Sequence, residues 1–365
     1  MAVEESNLKL TRILLESKAL VNQRDDVGRS ALHICCLHKY PRFDCENLTI
    51  LKTLIKYKAD VNLQDKNNET PLHHCLRGDN YHLAMALLKK GASVSIPDNK
   101  GEWPLHRAIK CGNINLVRKM LECKASVNQT NYDGQSALHL CFSGPKKCLE
   151  TLTTLIGYKA DVNIQDVWGN SPLHLAVRKS ALDEANALMN CKADVNLQDK
   201  NGQTPLHLSI EYDAPDLMVA LFENGALATI RDNAGNCTLD LAFSNLNLEK
   251  CMSVFELCAT RKGENIELIC ETLEVAALRM ACPDSFEYLR RATLLRREHC
   301  IPKRTLEPMK CYGFRREWET IEELETYKGD ENQLKFQAIL ARERIHQGQY
   351  EKLMELVQDN LISGI

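Results

Sequence analysis

One pattern of apolar and polar positions returns along the first two thirds of the chain. Each copy opens on a polar residue and a small hydroxyl or aromatic residue, then runs Pro or Ala, Leu, His. The copies are Arg29-Ser30-Ala31-Leu32-His33, Glu69-Thr70-Pro71-Leu72-His73, Glu102-Trp103-Pro104-Leu105-His106, Gln135-Ser136-Ala137-Leu138-His139, Asn170-Ser171-Pro172-Leu173-His174 and Gln203-Thr204-Pro205-Leu206-His207. A decayed copy, Asn236-Cys237-Thr238-Leu239-Asp240, follows. The starts at 29, 69, 102, 135, 170, 203 and 236 are 40, 33, 33, 35, 33 and 33 residues apart. A fixed period of this length is the mark of a stacked-repeat fold.

Each copy predicts two helices and a turn. Ser or Thr caps the first helix, and Pro at the first helical position has a suitable φ and no N–H to leave unpaired. Two residues after each His the chain places Cys35, Cys75, Ala108, Cys141, Ala176, Ser209 and Ala242, small side chains that let neighbouring helices approach. Cysteine there serves as a small buried hydrophobe. A second apolar helix follows, as in 83–88 and 116–121. It ends in Gly91-Ala92 or Gly225-Ala226, a left-handed helix terminus. Lys58, Lys124, Lys159 and Lys192 replace that glycine at a cost of up to ~1 kcal/mol each if φ stays positive. An extended stretch then leads to a hairpin tip such as Asp98-Asn99-Lys100-Gly101 or Asp166-Val167-Trp168-Gly169, with Asn68 taking the glycine place in the second repeat. Leu8 to Val21 reads as the second helix and exit of a preceding repeat. The longer spacings leave insertions near 40–45 and 144–147, between the two helices of their repeats.

The Thr-Pro-Leu-His signature at this period resembles the ankyrin repeat. The resemblance implies an all-α repeat solenoid with β-hairpin tips, and histidines that bridge loops rather than bind metal. After about residue 245 the anchors stop. Residues 264–282 are apolar at helical spacing, Pro283-Asp284 restarts a helix to about His299, and helices resume near 320–327, 331–346 and 349–360. Paired short helices suggest a tetratricopeptide-like module. The expected domains are therefore an ankyrin array over 1–259 and a tetratricopeptide-like region over 260–365 with a Pro-containing linker at 300–313. The decayed repeat and the helix after it are both apolar, which predicts that they pack directly into one solenoid.

The segment Pro308-Met309-Lys310-Cys311-Tyr312-Gly313-Phe314-Arg315-Arg316-Glu317, followed by Glu323-Leu324-Glu325 and Arg342-Glu343-Arg344-Ile345, resembles the feminization (Fem) family. The resemblance covers roughly 264–346. It implies a substrate receptor of cullin-type ubiquitin ligases. Two departures limit it. Nothing in 347–365 is long enough to be the family's elongin- and cullin-docking box, so the chain alone is expected not to capture a ligase. The inner helix Leu140-Cys141-Phe142-Ser143 lacks the acid through which the family reads degrons, so degron preference does not carry over. The alternative is an ankyrin scaffold or competitor that binds targets without recruiting a ligase.

Composition narrows the picture. Lys+Arg is 46 and Asp+Glu is 49 among 365 residues, a net charge of −3 that gives no global pull toward nucleic acid or anionic membrane. The 16 cysteines include no Cys-x-x-Cys, and with no apolar leader at the N-terminus the reduced state is expected. No phosphate-loop, dinucleotide, zinc-protease or nucleophile-elbow motif occurs, so neither an enzyme nor a cofactor or metal is expected. The pairs Arg290-Arg291 and Arg296-Arg297 read as a solvated helix face. The chain is expected in the cytoplasm or nucleus, with no nucleic-acid or membrane partner. A protein or peptide partner is expected on the concave side formed by the tips and inner helices. Trp103, Tyr132 and Trp168 are large aromatics at or beside tips, and Trp103 reads equally as a filler before Pro104. Arg107, His74, Arg178 and Tyr212 join them from the inner helices, since aromatics and Arg supply much of interface energy.

Overall fold

The computed structural model describes residues 2–4, 7–37, 44–78, 80–144, 148–238, 241, 270 and 285–298. The chain forms two compact units, Met1–Lys200 and Asn201–Ile365.

The first unit is a double layer of helices. The inner helices are α2 (Ala31–Leu37), α4 (Pro71–Arg77), α6 (Pro104–Lys110), α8 (Ala137–Leu140) and α10 (Pro172–Arg178). The outer helices are α1 (Leu8–Glu16), α3 (Asp44–Lys56), α5 (Tyr81–Lys89), α7 (Ile114–Glu122), α9 (Leu149–Gly157) and α11 (Leu182–Asn190). Each inner helix packs on the outer helix that follows it, and each layer packs helix upon helix along the unit. The α2/α3 pair is the first repeat and α10/α11 the fifth. Helix α1 stacks on α3 as the outer helix of an earlier repeat, as its apolar spacing predicts. In the second unit α12 (Pro205–Glu211) packs on α13 (Pro215–Glu223), and α14 spans Ser285–Glu298.

The anchor motif explains why these helices begin where they do. Nδ1 of His33, His73, His139, His174 and His207 accepts the backbone N–H of the capping Ser or Thr three residues earlier, at 3.1–3.2 Å. A backbone N–H can only donate, so Nδ1 is bare and Nε2 carries the proton. That Nε2–H reaches a carbonyl in the next repeat: Glu69 O from His33 at 3.0 Å, Gln129 O from His106 at 3.0 Å and Asn170 O from His139 at 2.9 Å. One ring thus caps its own helix and ties down the following loop. Burial holds His33 and His139 below the usual imidazole value and pushes His73 and His106 down to about 4. Within the slot two residues later, Cys35, Cys75, Ala108, Cys141, Ala176 and Ser209 are all buried.

The lysine helix ends adopt the left-handed angle their position demands, with φ 66° at Lys58, 64° at Lys124 and Lys159, and 65° at Lys192. Lys18, which the repeat pattern did not single out, does the same at 63°. The alanine after each reaches back five residues to a carbonyl, as Ala125 does to Met120 at 3.0 Å, which completes a Schellman cap.

The tips correct one expectation. Among the described residues they form no β-hairpin ladder, only the isolated bridges Thr130↔Ser136 and Arg231↔Cys237. A side chain shapes each turn instead. Oδ1 of Asp65 accepts the N–H groups of Asn67 and Glu69 at 2.8 and 2.9 Å, and Asp98, Asn131 and Asp166 repeat the pattern. Such a turn leaves too little extended backbone for a ladder. The basic helix also departs from its reading: in α14 Arg296 is 7 % exposed, so that residue does not lie on a solvated face. Most of the second unit, with the expected boundary at 259/260, the linker 300–313 and the segment of the Fem resemblance, lies outside the described residues. No helix among the described residues is long and apolar enough to cross a membrane.

Candidate partner-binding surface

The tips of the first unit form a row, joined by one backbone bond per repeat. Lys66 N–H donates to Val27 O, Asn99 to Asn67, Tyr132 to Lys100, Val167 to Asp133 and Lys200 to Trp168, at 2.9–3.2 Å. The row ties each tip backbone to the next. Glycine makes this approach possible. Gly134 has φ 71°, and a Cβ there would sit 2.8 Å from the Val167 nitrogen. At Gly101 a Cβ would sit 2.7 Å from Cδ1 of Tyr132, so the Tyr132 ring rests across the neighbouring tip.

Along this row the residues sort into two kinds. Tyr132 is 75 % exposed, Trp168 53 % and Val167 40 %. These three stand outside the core on turns whose angles need no large side chain. Val167 was not among the sequence candidates, although an apolar residue inside a turn was a visible signal. Arg178 stands at the end of α10, half-buried, with Nη2 3.4 Å from Asp199 Oδ2. Trp103 takes the filler place: its Nε1–H donates to Thr130 O at 3.2 Å and the ring is part-buried. Tyr212 caps α12 in the second unit and is exposed.

His74 and Arg107, expected to join the partner-binding face from the inner helices, are instead engaged inside the fold. His74 is 2 % exposed; its Nε2–H donates to Asp65 Oδ2 at 2.8 Å, and its ring meets His33 edge-on at 5.2 Å. Arg107 donates to Glu69 Oε1 at 2.8 Å and to Asp98 Oδ2 at 2.5 Å. Arg77 pairs with Glu69, and Lys110 with Glu102. Burial pushes His74 down to about 4 despite its bond to Asp65. Burial alone would raise Asp65, but the bonds from His74, Glu69 and Asn67 outweigh it and hold the carboxyl low. At Glu69 burial wins over Arg107 and Arg77, and the carboxyl is raised.

Asp65, Glu69 and His74 place one ligand atom each within 4.8 Å of one another, the geometry of a three-ligand metal site. The surrounding charge argues for another use. The carboxylates of Asp65, Glu69, Asp98 and Glu102 face the permanent cations of Arg77, Arg107 and Lys110. Asp65 Oδ2 already accepts from His74 Nε2–H, and Glu69 Oε1 from Arg77 and Arg107, so these acids have their counter-charges within the chain. The cluster therefore reads as an internal ion-pair lock between the second and third repeats.

Three overlapping stretches, residues 42–131, 98–166 and 138–232, match the family model for ankyrin repeats in three copies. Among solved structures, the ankyrin repeat domain of Bcl-3, described as a unique member of the IkappaB protein family, is similar in fold: TM-score 0.54, 22 % identity, 63 % of this chain and 100 % of that one covered. No curated protein matches the chain. With more than half of its length matched by the family model, the protein belongs to the ankyrin-repeat family, whose stacked helices are protein-binding modules.

Proposed function

We propose that the protein captures a protein partner on the tips of its fourth and fifth repeats and presents it for ubiquitin-dependent degradation, in the manner of a Fem-like receptor. The observation that carries the binding surface is the exposure of Tyr132, Val167 and Trp168 on turns locked by backbone bonds. Large aromatics on a rigid base lose little entropy on binding and give much contact area, which makes them effective interface anchors. The degradation step rests on the resemblance of the 306–346 segment to the Fem family.

A large aromatic photo-cross-linker (benzoyl-phenylalanine) in place of Trp168, which keeps a ring at that tip, with the same group at the outer-helix position Lys119 as control, identifies the partner in cells. The receptor reading expects a partner trapped at 168 and not at 119, whose half-life shortens when the chain is supplied fused to an elongin- and cullin-docking box. The Tyr132→Ala/Trp168→Ala double variant should leave that half-life unchanged. A trapped partner whose turnover ignores the chain contradicts the receptor reading and favours a scaffold. No specific trapping at 168 contradicts the binding surface itself.

A further inference from the structure

The face that carries the aromatic tips also carries an ordered pattern of charge. Tip acids turn inward: Asp65, Asp98 and Asp166 are buried, each closing its own turn by accepting two backbone N–H groups. Bases turn outward. Lys66 and Lys100 are exposed at the second and third tips, and Arg77 and Lys110 reach from the ends of α4 and α6 over Glu69 and Glu102. Beyond the aromatic tips, Arg178, Lys179 and Lys200 stand at the end of α10 and on the following tip, with Lys179 and Lys200 exposed. Between these two basic zones lie Tyr132, Asp133, Val167 and Trp168, where the exposed charge is the carboxylate of Asp133. The order along the row is basic, aromatic, basic.

We infer that this face takes an acidic peptide segment whose apolar side chains sit at its centre, over Tyr132, Val167 and Trp168, with carboxylates on both sides. The inference rests on the binding surface proposed above and adds the chemistry of its partner. Complementary charge fixes the register of a bound chain and speeds its encounter, while central aromatics hold it. Arg77 and Lys110 are engaged by Glu69 and Glu102, so the exposed bases that face a partner in these zones are Lys66, Lys100 and Lys179. A nucleic-acid strand fits less well, because its evenly spaced phosphates would place charge against Val167 and against Asp133.

The test uses the full chain and fluorescence anisotropy with short dye-labelled peptides. The first probe has acidic ends and a Leu-Trp-Leu centre. A second has the same composition with the acids at its centre. A third has lysine ends, and a single-stranded oligonucleotide is the fourth. The first probe should bind at least ~10-fold more tightly than the others and weaken as salt rises. Lys100→Glu combined with Lys179→Glu should weaken it by a further ~10-fold, as should Trp168→Ala, with melting temperatures unchanged. Equal binding of the rearranged peptide, or tighter binding of the lysine-ended peptide or the oligonucleotide, overturns the inference. So does failure of the first probe to bind at all; the trapping experiment at position 168 then decides separately whether the surface binds a partner of different chemistry.

Discussion

The second and third repeats build the same turn as the fourth and fifth and use it differently. In the first pair the turn closes on Glu69 and Glu102, and these acids, with Asp65 and Asp98, bind Arg77, Arg107, Lys110 and His74. In the second pair it closes on Gln135 and Asn170, neutral groups that ask for no counter-ion. Helices α8 and α10 then place Leu140 and Leu175 where α4 and α6 place His74 and Arg107. Charge in the first pair is consumed internally and welds two repeats together. The second pair is closed by neutral groups, and its tips carry exposed aromatic side chains. One scaffold thus separates an ion-pair lock from the aromatic anchors of recognition, by the residue at the end of the turn and the residue after the anchor histidine.

Acid should break this comparison most strongly. His73, His74 and His106, all in the second and third repeats, have folded values of about 4 against 6.5 when free. Their contribution to stability is complete above pH 6.5 and is lost as pH falls toward 4, because the unfolded chain takes up protons the folded one refuses. The loss amounts to roughly 3 kcal/mol per histidine at most. Hydrogen exchange followed between pH 7 and 4 should show these two repeats opening before the fourth and fifth. Uniform opening along the array would mean the buried cluster gives them no special acid sensitivity.

Glycine substitutions sharpen the distinction at the tips. Gly134→Ala pushes a Cβ against the backbone of the next tip, which cannot yield, and should cost about 2–3 kcal/mol in urea denaturation. Gly101→Ala meets the Tyr132 ring at 2.7 Å and its backbone nitrogen at 3.0 Å, a looser backbone contact than at Gly134, and should cost about 1–2 kcal/mol. If Gly101→Ala is the costlier change, the Tyr132 ring is wedged in place rather than merely resting there.

The smallest effect lies far from the tips. Lys124→Gly removes the Cβ from a residue held at φ 64° and should raise stability by up to ~1 kcal/mol, as should Lys159→Gly. Thermal melts that fall instead would show that the lysine side chains contribute more than their backbone angle costs.

Much of this architecture was legible because local chemistry repeats. The hydroxyl before Pro, the histidine three residues later and the lysine at a helix end each follow from one residue and its immediate backbone, and 33-residue spacing multiplies the signal. The ion-pair lock was not legible, because its partners come from different repeats. Glu69 meets Arg107 across 38 positions, and an arginine on an inner helix looks the same in sequence whether it faces solvent or three carboxylates. Tyr132 and Trp168 were legible as aromatics in turns. Trp103, in the capping slot directly before Pro104, was ambiguous because only the fold reveals that its N–H reaches Thr130 O.

The central claim is that the ion-pair lock lies in the second and third repeats and the aromatic anchors of recognition in the fourth and fifth. Pairing Arg107→Ala with Trp168→Ala tests it directly, each variant being measured for its melting temperature and for its affinity toward the partner trapped at position 168. Arg107→Ala leaves Asp98 without its arginine and Glu69 with Arg77 alone, and should cost about 3–5 kcal/mol, with partner affinity retained below its melt. Trp168→Ala should melt with the unaltered chain and lose about 2 kcal/mol of binding. If Trp168→Ala lowers the melt while affinity holds, or Arg107→Ala abolishes binding at full stability, the two roles are not divided as described.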